Sequence, residues 1–586
     1  MTDKKSSKPW QKTNQGRDWR IEAFRMVVVL LAFVIVLRLV SLQVLSHGFY
    51  QALANGQHEI FQELYPERGD IYFHDLKDGT LVPVATNQQL AFVYADPRHI
   101  TDAEGAAKTL GEIFAYEAEA VEALQKRLDQ PEDPYEPIAH RVGDQQLDQI
   151  IQAQLPGIYF AREQARLYPE AKVGGHVIGF LGMNKDGSLA GKYGVEGYFN
   201  QELAGQAGYL RSERDIAGRL IAVADRSIER AVDGADIVLT LDRTIQYTVC
   251  SALDQAVARY QADGGSAIVI DPHTGRVLAM CGAPDFDPNN YGAVDSINDF
   301  NNPAIFEDYE PGSIFKAITL AAALDTGAVT PTSTYLDTGE VKIDEHTIKN
   351  SDELAHGRQT MTQVLELSLN TGAIYAMRET GIPVFLDYVK RFGFGEPVGI
   401  NLDTEVAGDL GELETGYEIY SATASYGQGI TVTPLQMAAA YVPIANGGIY
   451  KKIHIVDELR YPDGRVVKIE DQDLRRVIES KTSRLLGAML ISVVDNGHAA
   501  KAAVSGYYLA GKTGTAQVAN RSTGGYQENN TIASFVGFGP VEDPRFVILT
   551  RLDHPRTNPY AAQTAAPLFG EIAAFLLQYF EIPPTR

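Results

Sequence analysis

A proline–glycine pair followed directly by an apolar run constrains the fold of this chain more than any other segment. Pro311 and Gly312 interrupt any regular element before them, and residues 314–324 are apolar at nearly every position. This pattern predicts a turn that opens a buried helix, with Ser313 in its first turn. Lys316 follows three residues later, so its side chain shares a helix face with Ser313. Because burial lowers the pKa of a lysine, Lys316 can act as the base for a Ser313 nucleophile.

Two later motifs favour catalysis over a chance pairing of serine and lysine. Ser368 and Asn370 form a Ser-x-Asn motif, and Lys512 opens a Lys-Thr-Gly sequence that occurs once in the chain. Ser-x-x-Lys, Ser-x-Asn and Lys-Thr-Gly, in this order, are typical of serine β-lactamases and penicillin-binding proteins. By itself, the Thr513–Thr515 segment is an ordinary strand edge at which Gly514 permits a close approach. The ordered set of three motifs indicates a catalytic site instead.

Composition argues against several other functions. The net charge of −24 over 586 residues disfavours binding to nucleic acid, or to a membrane through a broad basic patch. The twelve histidines form no His-x-x-x-His pair or Cys/His cluster, so we expect no metal and no other cofactor. Cys250 and Cys281 are too few for a disulfide framework and are interpreted as small buried hydrophobic residues. A chain of this length should hold several domains and at least one large core.

The N-terminal segment has the pattern of a membrane anchor. Residues 1–25 are polar and basic, and residues 26–45 are apolar apart from Arg38. A helix of about 20 apolar residues spans a bilayer. The basic segment is long for a cleaved signal peptide and no small-x-small cleavage site follows, so we expect a retained signal-anchor. The positive-inside rule then places residues 1–25 in the cytoplasm and the chain after residue 46 outside it, in a protein that crosses the cell membrane once.

The remainder of the chain changes character near residue 236. Residues 60–100 have the pattern of short strands and turns, and residues 102–155 have helical periodicity. Residues 266–280 form two apolar runs around an Asp-Pro-His-Thr-Gly turn, which predicts a hairpin. A helix, antiparallel strands, a helical insertion and a further strand at Lys512 predict an α+β domain that begins near residue 236.

With these motifs and many further matching segments, the chain resembles a class B penicillin-binding protein, a monofunctional peptidoglycan transpeptidase. The matching segments are Leu42–Val44, Glu67–Ile71, Arg166–Pro169, Ala267–Met280, Pro284–Asn289, Tyr309–Lys316, Tyr426–Gly429, Thr433–Gln436, Ile444–Gly448 and Gly511–Ala516. The resemblance implies a pedestal, similar to the penicillin-binding protein dimerisation domain, across residues 46–235. It implies a transpeptidase domain with the serine β-lactamase-like fold across residues 236–586. Within the family, Lys512–Gln517 and Val493–Gly497 are more similar to the division-type, septal branch than to the elongation branch.

The resemblance also implies a role for each motif residue. Ser313 would attack the penultimate D-alanyl carbonyl of a stem peptide, and Lys316 would accept its proton. Ser368 and Lys512 would pass a proton to the departing D-alanine. The neutral amide of Asn370 would orient Lys316 without neutralising it.

The same resemblance assigns substrate binding to the Lys-Thr-Gly strand. The hydroxyl groups of Thr513 and Thr515 would hold the terminal carboxylate of the stem peptide, with Gly514 between them. The backbone N–H groups of Ser313 and Thr515 would form the oxyanion hole.

Peptidoglycan stem peptides and β-lactams are the expected ligands. The expected partner is a membrane glycosyltransferase of the cell-wall synthesis machinery at the inner membrane, because the chain carries cross-linking motifs and no second catalytic domain. The alternatives are an elongation-type transpeptidase, a serine β-lactamase or D,D-carboxypeptidase, a β-lactam sensor and an inactive scaffold. The anchor and the pedestal disfavour a secreted hydrolase. Residues 1–25 are too short for the signalling domain of a sensor, and the intact motifs disfavour a scaffold.

Overall fold

The computed structural model describes residue 26 and residues 59–213, 227–519 and 525–586. Within it, the chain divides into two compact units. The first unit comprises Met1–Pro66 and Gln206–Val232, and the second comprises Glu67–Gly205 and Asp233–Arg586.

Strands account for much of the described chain. In chain order they are β1 (Glu59–Leu64), β2 (Ile71–His74), β3 (Leu81–Ala95), β4 (Glu136–Val142), β5 (Ile158–Leu167), β6 (Phe180–Met183), β7 (Leu189–Lys192), β8 (Gly208–Glu213), β9 (Ser227–Glu229), β10 (Asp236–Asp242), β11 (Gly264–Ile270), β12 (Val277–Ala283), β13 (Thr334–Asp337), β14 (Glu340–Ile343), β15 (His346–Lys349), β16 (Gly357–Thr360), β17 (Ile449–Lys451), β18 (Val456–Arg460), β19 (Val466–Lys468), β20 (Asp473–Arg476), β21 (Ala510–Ala519), β22 (Tyr526–Gly539) and β23 (Phe546–Asp553). The first unit contains an antiparallel sheet in the order β1–β8–β9.

Helices separate many of these strands. They are α1 (Ala103–Phe114), α2 (Ala118–Leu128), α3 (Asp144–Ala153), α4 (Gly175–Ile178), α5 (Gly194–Tyr198), α6 (Asn200–Ala204), α7 (Arg243–Tyr260), α8 (Pro303–Phe306), α9 (Lys316–Asp325), α10 (Met361–Glu366), α11 (Asn370–Thr380), α12 (Ile382–Arg391), α13 (Gly411–Glu414), α14 (Glu418–Ser425), α15 (Pro434–Ala445), α16 (Ser480–Asn496) and α17 (Ala565–Tyr579).

The second unit begins with a seven-stranded sheet. Its path is β19–β18–β10–β2–β3–β4, with β5 paired to β3, and β2 runs parallel to β10. Alternate residues of β3, namely Ala91, Val93 and Ala95, are fully buried in a small core with α1, α2 and α3. The prediction of helices in residues 102–155 is therefore confirmed, although β4 interrupts them.

A buried carboxylate joins two distant segments beside this sheet. Glu196 is fully buried and accepts hydrogen bonds from Arg68 Nε at 2.7 Å and from Arg166 Nε at 2.8 Å. Arg166 is itself buried and donates to the Asn87 side chain at 3.1 Å. Burial of a charge is costly unless it is paired and hydrogen-bonded, and two guanidinium groups meet that requirement for Glu196.

The five-stranded antiparallel sheet β12–β11–β23–β22–β21 positions the functional residues. All residues of β11 and β12 are buried, so both faces of this part of the sheet are covered. Helices α7 and α17 contact the sheet, and so does α15. The hairpin predicted at residues 266–280 is confirmed as β11 and β12. Strand β21, which carries Lys512, lies at one edge of the sheet.

Cys250 and Cys281 form a disulfide, so the interpretation of both as unpaired hydrophobic residues was wrong. The bond joins α7 to β12 across 31 residues of sequence, with the two Cα atoms 5.3 Å apart. Two cysteines in a long chain carry no pairing signal by themselves. The packing of α7 on β12 brings them to the distance that a disulfide requires.

The expected membrane anchor at residues 26–45 lies outside the described residues except for Met26, and so does the basic tail of residues 1–25. Among the helices that the structure describes, none has the length and apolar character needed to cross a bilayer.

Candidate active site

The predicted turn and helix around Ser313 are confirmed. Gly312–Phe315 forms a single 3-10 turn that continues directly into α9. Gly312 has a φ of +59°, a left-handed conformation that glycine adopts without a steric cost. Every residue of α9 from Lys316 to Leu324 is buried, whereas Ser313 is only half-buried. The turn therefore leaves the Ser313 hydroxyl accessible and places Lys316 inside the protein.

Four oxygen atoms surround the amine of Lys316. Its Nζ lies 3.0 Å from Ser313 Oγ, 2.8 Å from Asn370 Oδ1, 2.5 Å from the Ser368 carbonyl oxygen and 3.2 Å from Ser368 Oγ. The carbonyl and amide oxygens can only accept hydrogen bonds. A neutral amine that donates its two hydrogens to them keeps its lone pair for the Ser313 hydroxyl.

Burial, and then the positive charge of Lys512, holds the pKa of Lys316 well below its usual value. The effect of burial is at its strongest for Lys316, because none of the surface of this residue reaches solvent. A lowered pKa favours the neutral amine, which can accept the Ser313 proton, whereas a protonated lysine cannot. The geometry and the electrostatics of Lys316 therefore agree with the role of a base.

Ser368 lies between the two lysines of the site. Its Oγ is 3.2 Å from Lys316 Nζ and 3.0 Å from Lys512 Nζ, so a proton can pass between the amines through one hydroxyl. The residue follows α10 and has a φ of +58°, which is uncommon for a residue with a side chain. Such a strained conformation often occurs at functional sites, where contacts with the surrounding structure compensate for the strain.

The side chain of Asn370 is held from both ends. At the first position of α11, its Oδ1 accepts from Lys316 and its Nδ2 donates to the Lys349 carbonyl at 2.8 Å. Behind it, Thr371 Oγ1 donates to the buried carboxylate of Asp337 at 2.8 Å. Sequence reasoning missed the contributions of Lys349 and Asp337, because a backbone acceptor and a supporting carboxylate outside the motifs carry no local signal.

Lys512 enters the site from β21. Its side chain is almost completely buried, and burial lowers the pKa of Lys512 to about 7. Besides Ser368, its Nζ approaches the backbone oxygen of Thr513 at 3.2 Å and the Thr513 hydroxyl at 3.3 Å. Near neutral pH a substantial fraction of Lys512 is therefore protonated, and the lowered pKa of Lys316 favours the neutral form of that amine.

Gly514 allows β21 to lie against the turn that carries Ser313. A Cβ atom at this position would stand 2.8 Å from the Pro311 carbonyl oxygen and 2.6 Å from Ser534 Oγ, which is too close on both sides. The next residue, Thr515, is exposed, and its hydroxyl accepts a hydrogen bond from the Ala561 N–H at 3.2 Å. Because β21 is an edge strand, its outward backbone N–H groups are available to a substrate.

Glu310 is a further residue of the site that sequence reasoning did not assign. Its carboxylate accepts from the Gly429 N–H at 3.0 Å and from the Tyr526 hydroxyl at 3.1 Å, and burial raises its pKa. The Gly427 carbonyl accepts from the Gly312 N–H at 2.9 Å, so the same segment supports the turn a second time. Two sequence segments, Tyr426–Gly429 and Tyr309–Lys316, resemble the same family. This shared resemblance was the signal that could have indicated a contact between the two segments.

The structure thus brings all eight predicted site residues to one place: Ser313, Lys316, Ser368, Asn370, Lys512, Thr513, Gly514 and Thr515. They come from three segments, namely the turn before α9, the connection between α10 and α11, and β21. The group contains a serine next to a lysine of lowered pKa, a proton-relay hydroxyl and an open strand edge. This arrangement suits acyl transfer through a serine ester.

Comparison with known proteins gives two family matches within this chain. Residues 265–574 match the penicillin-binding protein transpeptidase domain, and residues 63–239 match the penicillin-binding protein dimerisation domain. Together they show a two-domain fold of mixed helices and strands with a transpeptidase domain.

Relatives with described functions match over most of the chain. Stage V sporulation protein D of Bacillus subtilis is 33% identical over 526 residues, which cover 89% of this chain and 79% of that protein. The peptidoglycan D,D-transpeptidase FtsI of Escherichia coli K12 is 30% identical over 590 residues, 99% of this chain and 95% of that protein. Among solved structures, penicillin-binding protein 3 of Mycobacterium tuberculosis in complex with aztreonam has a TM-score of 0.68 and 26% identity. That match covers 90% of this chain and 98% of the solved chain.

Proposed function

Because this chain belongs to the class B penicillin-binding proteins, we propose that Ser313, Lys316, Ser368, Asn370 and Lys512 form the catalytic group with which it cross-links peptidoglycan stem peptides. The protein is a penicillin-binding D-Ala-D-Ala transpeptidase of cell-wall synthesis. The observation that carries the residue assignment is the buried amine of Lys316, of lowered pKa, at 3.0 Å from Ser313 Oγ.

Acylation is the first step of the proposed reaction. Ser313 Oγ attacks the carbonyl carbon of the penultimate D-alanine while its proton moves to Lys316 Nζ. Backbone N–H groups of Ser313 and Thr515 stabilise the oxyanion, and one such donor is worth about 3 kcal/mol. The C–N bond then breaks, and the departing amine of the terminal D-alanine receives a proton through Ser368 and Lys512.

Transfer to a second stem peptide completes the reaction. An amine of that peptide attacks the carbonyl carbon of the Ser313 ester and loses a proton to the same lysine pair. The bond between that carbon and Ser313 Oγ then breaks, and Lys316 returns a proton to the oxygen, which restores the Ser313 hydroxyl. The hydroxyl groups of Thr513 and Thr515, on either side of Gly514, hold the terminal carboxylate of the donor peptide during acylation. The exposed hydroxyl of Thr515 supports this role, since its oxygen accepts from Ala561 and its hydrogen remains to be donated.

We also propose the domain organisation and location that this function requires. Residues 1–25 form a cytoplasmic tail, residues 26–45 a single transmembrane signal-anchor, residues 46–235 the pedestal and residues 236–586 the transpeptidase domain, outside the cytoplasm. The disulfide between Cys250 and Cys281 supports this location, because disulfides persist mainly in oxidising compartments.

The proposed site of action is the division septum, beside a membrane glycosyltransferase that supplies glycan strands. The 30% identity to FtsI of Escherichia coli across nearly the whole of both chains supports the division-type role. An elongation-type role is the alternative. Fluorescent fusions of the full chain would distinguish them, because a division enzyme concentrates at midcell and an elongation enzyme distributes along the lateral wall.

Covalent labelling of the full-length protein by a fluorescent penicillin tests the nucleophile. We expect Ser313→Ala to abolish labelling, while circular dichroism shows the fold of the wild type. Ser296→Ala, in a Ser-x-Asn sequence outside the site, is the matched control and should label normally. Equal labelling of Ser313→Ala and wild type would remove Ser313 from the nucleophile role. A label that the wild-type protein releases within seconds would indicate a β-lactamase instead.

A further inference from the structure

A ladder of aromatic side chains covers the outer face of the sheet formed by β3, β4 and β5. We call this surface the aromatic face, and its members are Phe92, Tyr94, Tyr135, His140 and Tyr159. Consecutive rings are in contact: the centroid distances are 4.2 Å for His140–Phe92, 5.7 Å for Phe92–Tyr94 and 5.7 Å for Tyr94–Tyr159. The Tyr135 ring lies 5.5 Å from that of Tyr94.

This sheet is covered on one face only by the described chain. The alternate residues of β3 that point inward are fully buried against helices, whereas Tyr135 and Tyr159 are 52% and 42% exposed. In the ladder between β3 and β5, Tyr94 lies directly opposite Tyr159, which places both on the outer face. Large apolar side chains that form a contiguous exposed patch mark a binding surface more often than scattered ones do.

A polar cleft lies farther along the same two strands. Its volume is about 230 Å³. Thr86, Asn87, Gln88, Gln89 and Gln164 line it on the side of these strands, and the charged residues Glu67, Arg68, Asp70, Asp233 and Asp236 line the rest. Gln88 and Phe92 are four residues apart on β3, so they share a face at a separation of about 13 Å. A ligand that runs along the outer face of β3 would therefore meet aromatic rings first and the Gln88 carboxamide next.

We propose that the aromatic face and the polar cleft bind the glycan strand of peptidoglycan. Sugar rings have apolar C–H faces, which stack on the electron-rich faces of aromatic rings, and polar edges, which bond to hydroxyl and carboxamide groups. The tyrosine and histidine rings supply the first kind of contact, and Gln88 and the carboxylates of the cleft supply the second. The proposal rests on the peptidoglycan substrate proposed above.

Charge favours a neutral sugar polymer over the anionic peptides attached to it. Four carboxylates, those of Glu67, Asp70, Asp233 and Asp236, line the cleft beside one guanidinium group, that of Arg68, so a carboxylate-bearing stem peptide is repelled there. Four of the five rings of the aromatic face bear no charge, and His140 Nδ1 lies 2.9 Å from Glu163 Oε2, so these two side chains pair with each other. Binding of the uncharged glycan backbone would hold the substrate without that repulsion.

Retention on immobilised glycan strands from which the stem peptides have been removed tests this proposal. The full-length, detergent-solubilised protein is first acylated with penicillin, so that the active site does not contribute to binding. We expect the acylated wild type to be retained and Tyr94→Ala/Tyr159→Ala to bind at least about fivefold more weakly. Tyr247→Ala is the matched control, since Tyr247 is 60% exposed on α7 and lies outside the aromatic face; it should bind as the wild type does.

A conservative variant separates loss of stacking from loss of structure. Tyr94→Phe/Tyr159→Phe keeps both rings and should retain most of the binding, even if the alanine variant is destabilised. The penicillin-labelling rate of every variant should equal that of the wild type, which keeps this test independent of the catalytic assignment. Failure of the acylated wild type to bind the strands, or equal binding by the alanine variant, would overturn the proposal. Loss of a co-purifying protein from the alanine variant with unchanged glycan binding would also overturn it, and would assign the face to that protein.

Discussion

Lys512 Nζ lies 3.0 Å from the hydroxyl oxygen of Ser368, although 144 residues of sequence separate the two. The same hydroxyl is 3.2 Å from Lys316 Nζ, so it connects an amine on β21 to an amine on α9. The positive charge of Lys512 at such close range lowers the pKa of Lys316 further than burial alone does, which favours the neutral form of Lys316.

Loss of Lys316 should slow acylation more than loss of Lys512. Lys316 contacts the Ser313 hydroxyl directly, whereas Lys512 reaches it only through Ser368. General-base catalysis contributes about 10²–10⁴-fold, so we expect Lys316→Ala to reduce the second-order acylation rate by about that factor. Stopped-flow measurement with one fluorescent β-lactam gives both rates. Acylation of Lys316→Ala at the wild-type rate would exclude Lys316 as the base.

The pH dependence of acylation should shift when the charge of Lys512 is removed. The base must be deprotonated, so the rate rises as pH rises through the pKa of Lys316. The positive charge of Lys512 lowers that pKa. In Lys512→Met the pKa of Lys316 should therefore rise, and the ascending limb of the rate profile should move to higher pH. Rate profiles of the wild type and the variant between pH 5 and pH 10 test this, and an unmoved limb would show that the two amines are not coupled.

Gly514→Ala should impair acylation because it separates β21 from the turn that carries Ser313. The added methyl group meets the Pro311 carbonyl oxygen, which is backbone and cannot move aside cheaply. Overpacking of this kind costs about 1–3 kcal/mol, and displacement of β21, which carries the proposed oxyanion-hole donor Thr515, adds a loss of rate. Gly292→Ala is the matched control, because no atom lies within 4 Å of a Cβ built there. Normal labelling of Gly514→Ala by penicillin would contradict the close approach of the two segments.

Reduction of the Cys250–Cys281 disulfide should lower the stability of the folded protein. The bond closes 31 residues of chain, which corresponds to about 3–4 kcal/mol in the chain-entropy description. Thermal unfolding with and without a reductant measures the effect. The variant Cys250→Ser/Cys281→Ser should unfold at the lower temperature in both conditions. A melting temperature of the wild type that does not respond to the reductant would show that the thiols are not joined.

Replacement of Glu196 should destabilise the folded protein without removing its reaction with penicillin. Glu196→Ala leaves Arg68 and Arg166 without their buried partner, and such a loss costs about 3–5 kcal/mol. Denaturant unfolding monitored by fluorescence measures this difference. Glu112→Ala, at an exposed position on α1, is the control and should change stability little. At a temperature where both variants are folded, their penicillin-labelling rates should match that of the wild type.

Local features of the sequence were sufficient to predict several structural elements of this protein. The turn at Pro311 and Gly312, the helix after it and the hairpin of residues 266–280 depend on residues close in the chain, and all are confirmed. The order of the three motifs was enough to predict the eight site residues. Each of these features depends on residues within one short segment, or on the order of three short motifs along the chain.

The tertiary structure decided the contacts on which the chemistry depends. The pairing of Cys250 with Cys281 and the support of Asn370 by the Lys349 carbonyl have no local signal, since each joins segments that meet only after folding. The same holds for the lowered pKa of Lys316, which arises from burial and from the charge of Lys512. Desolvation and Coulomb repulsion depend on distances in space, so the sequence determined which groups the site contains and the packing of three distant segments determined their protonation.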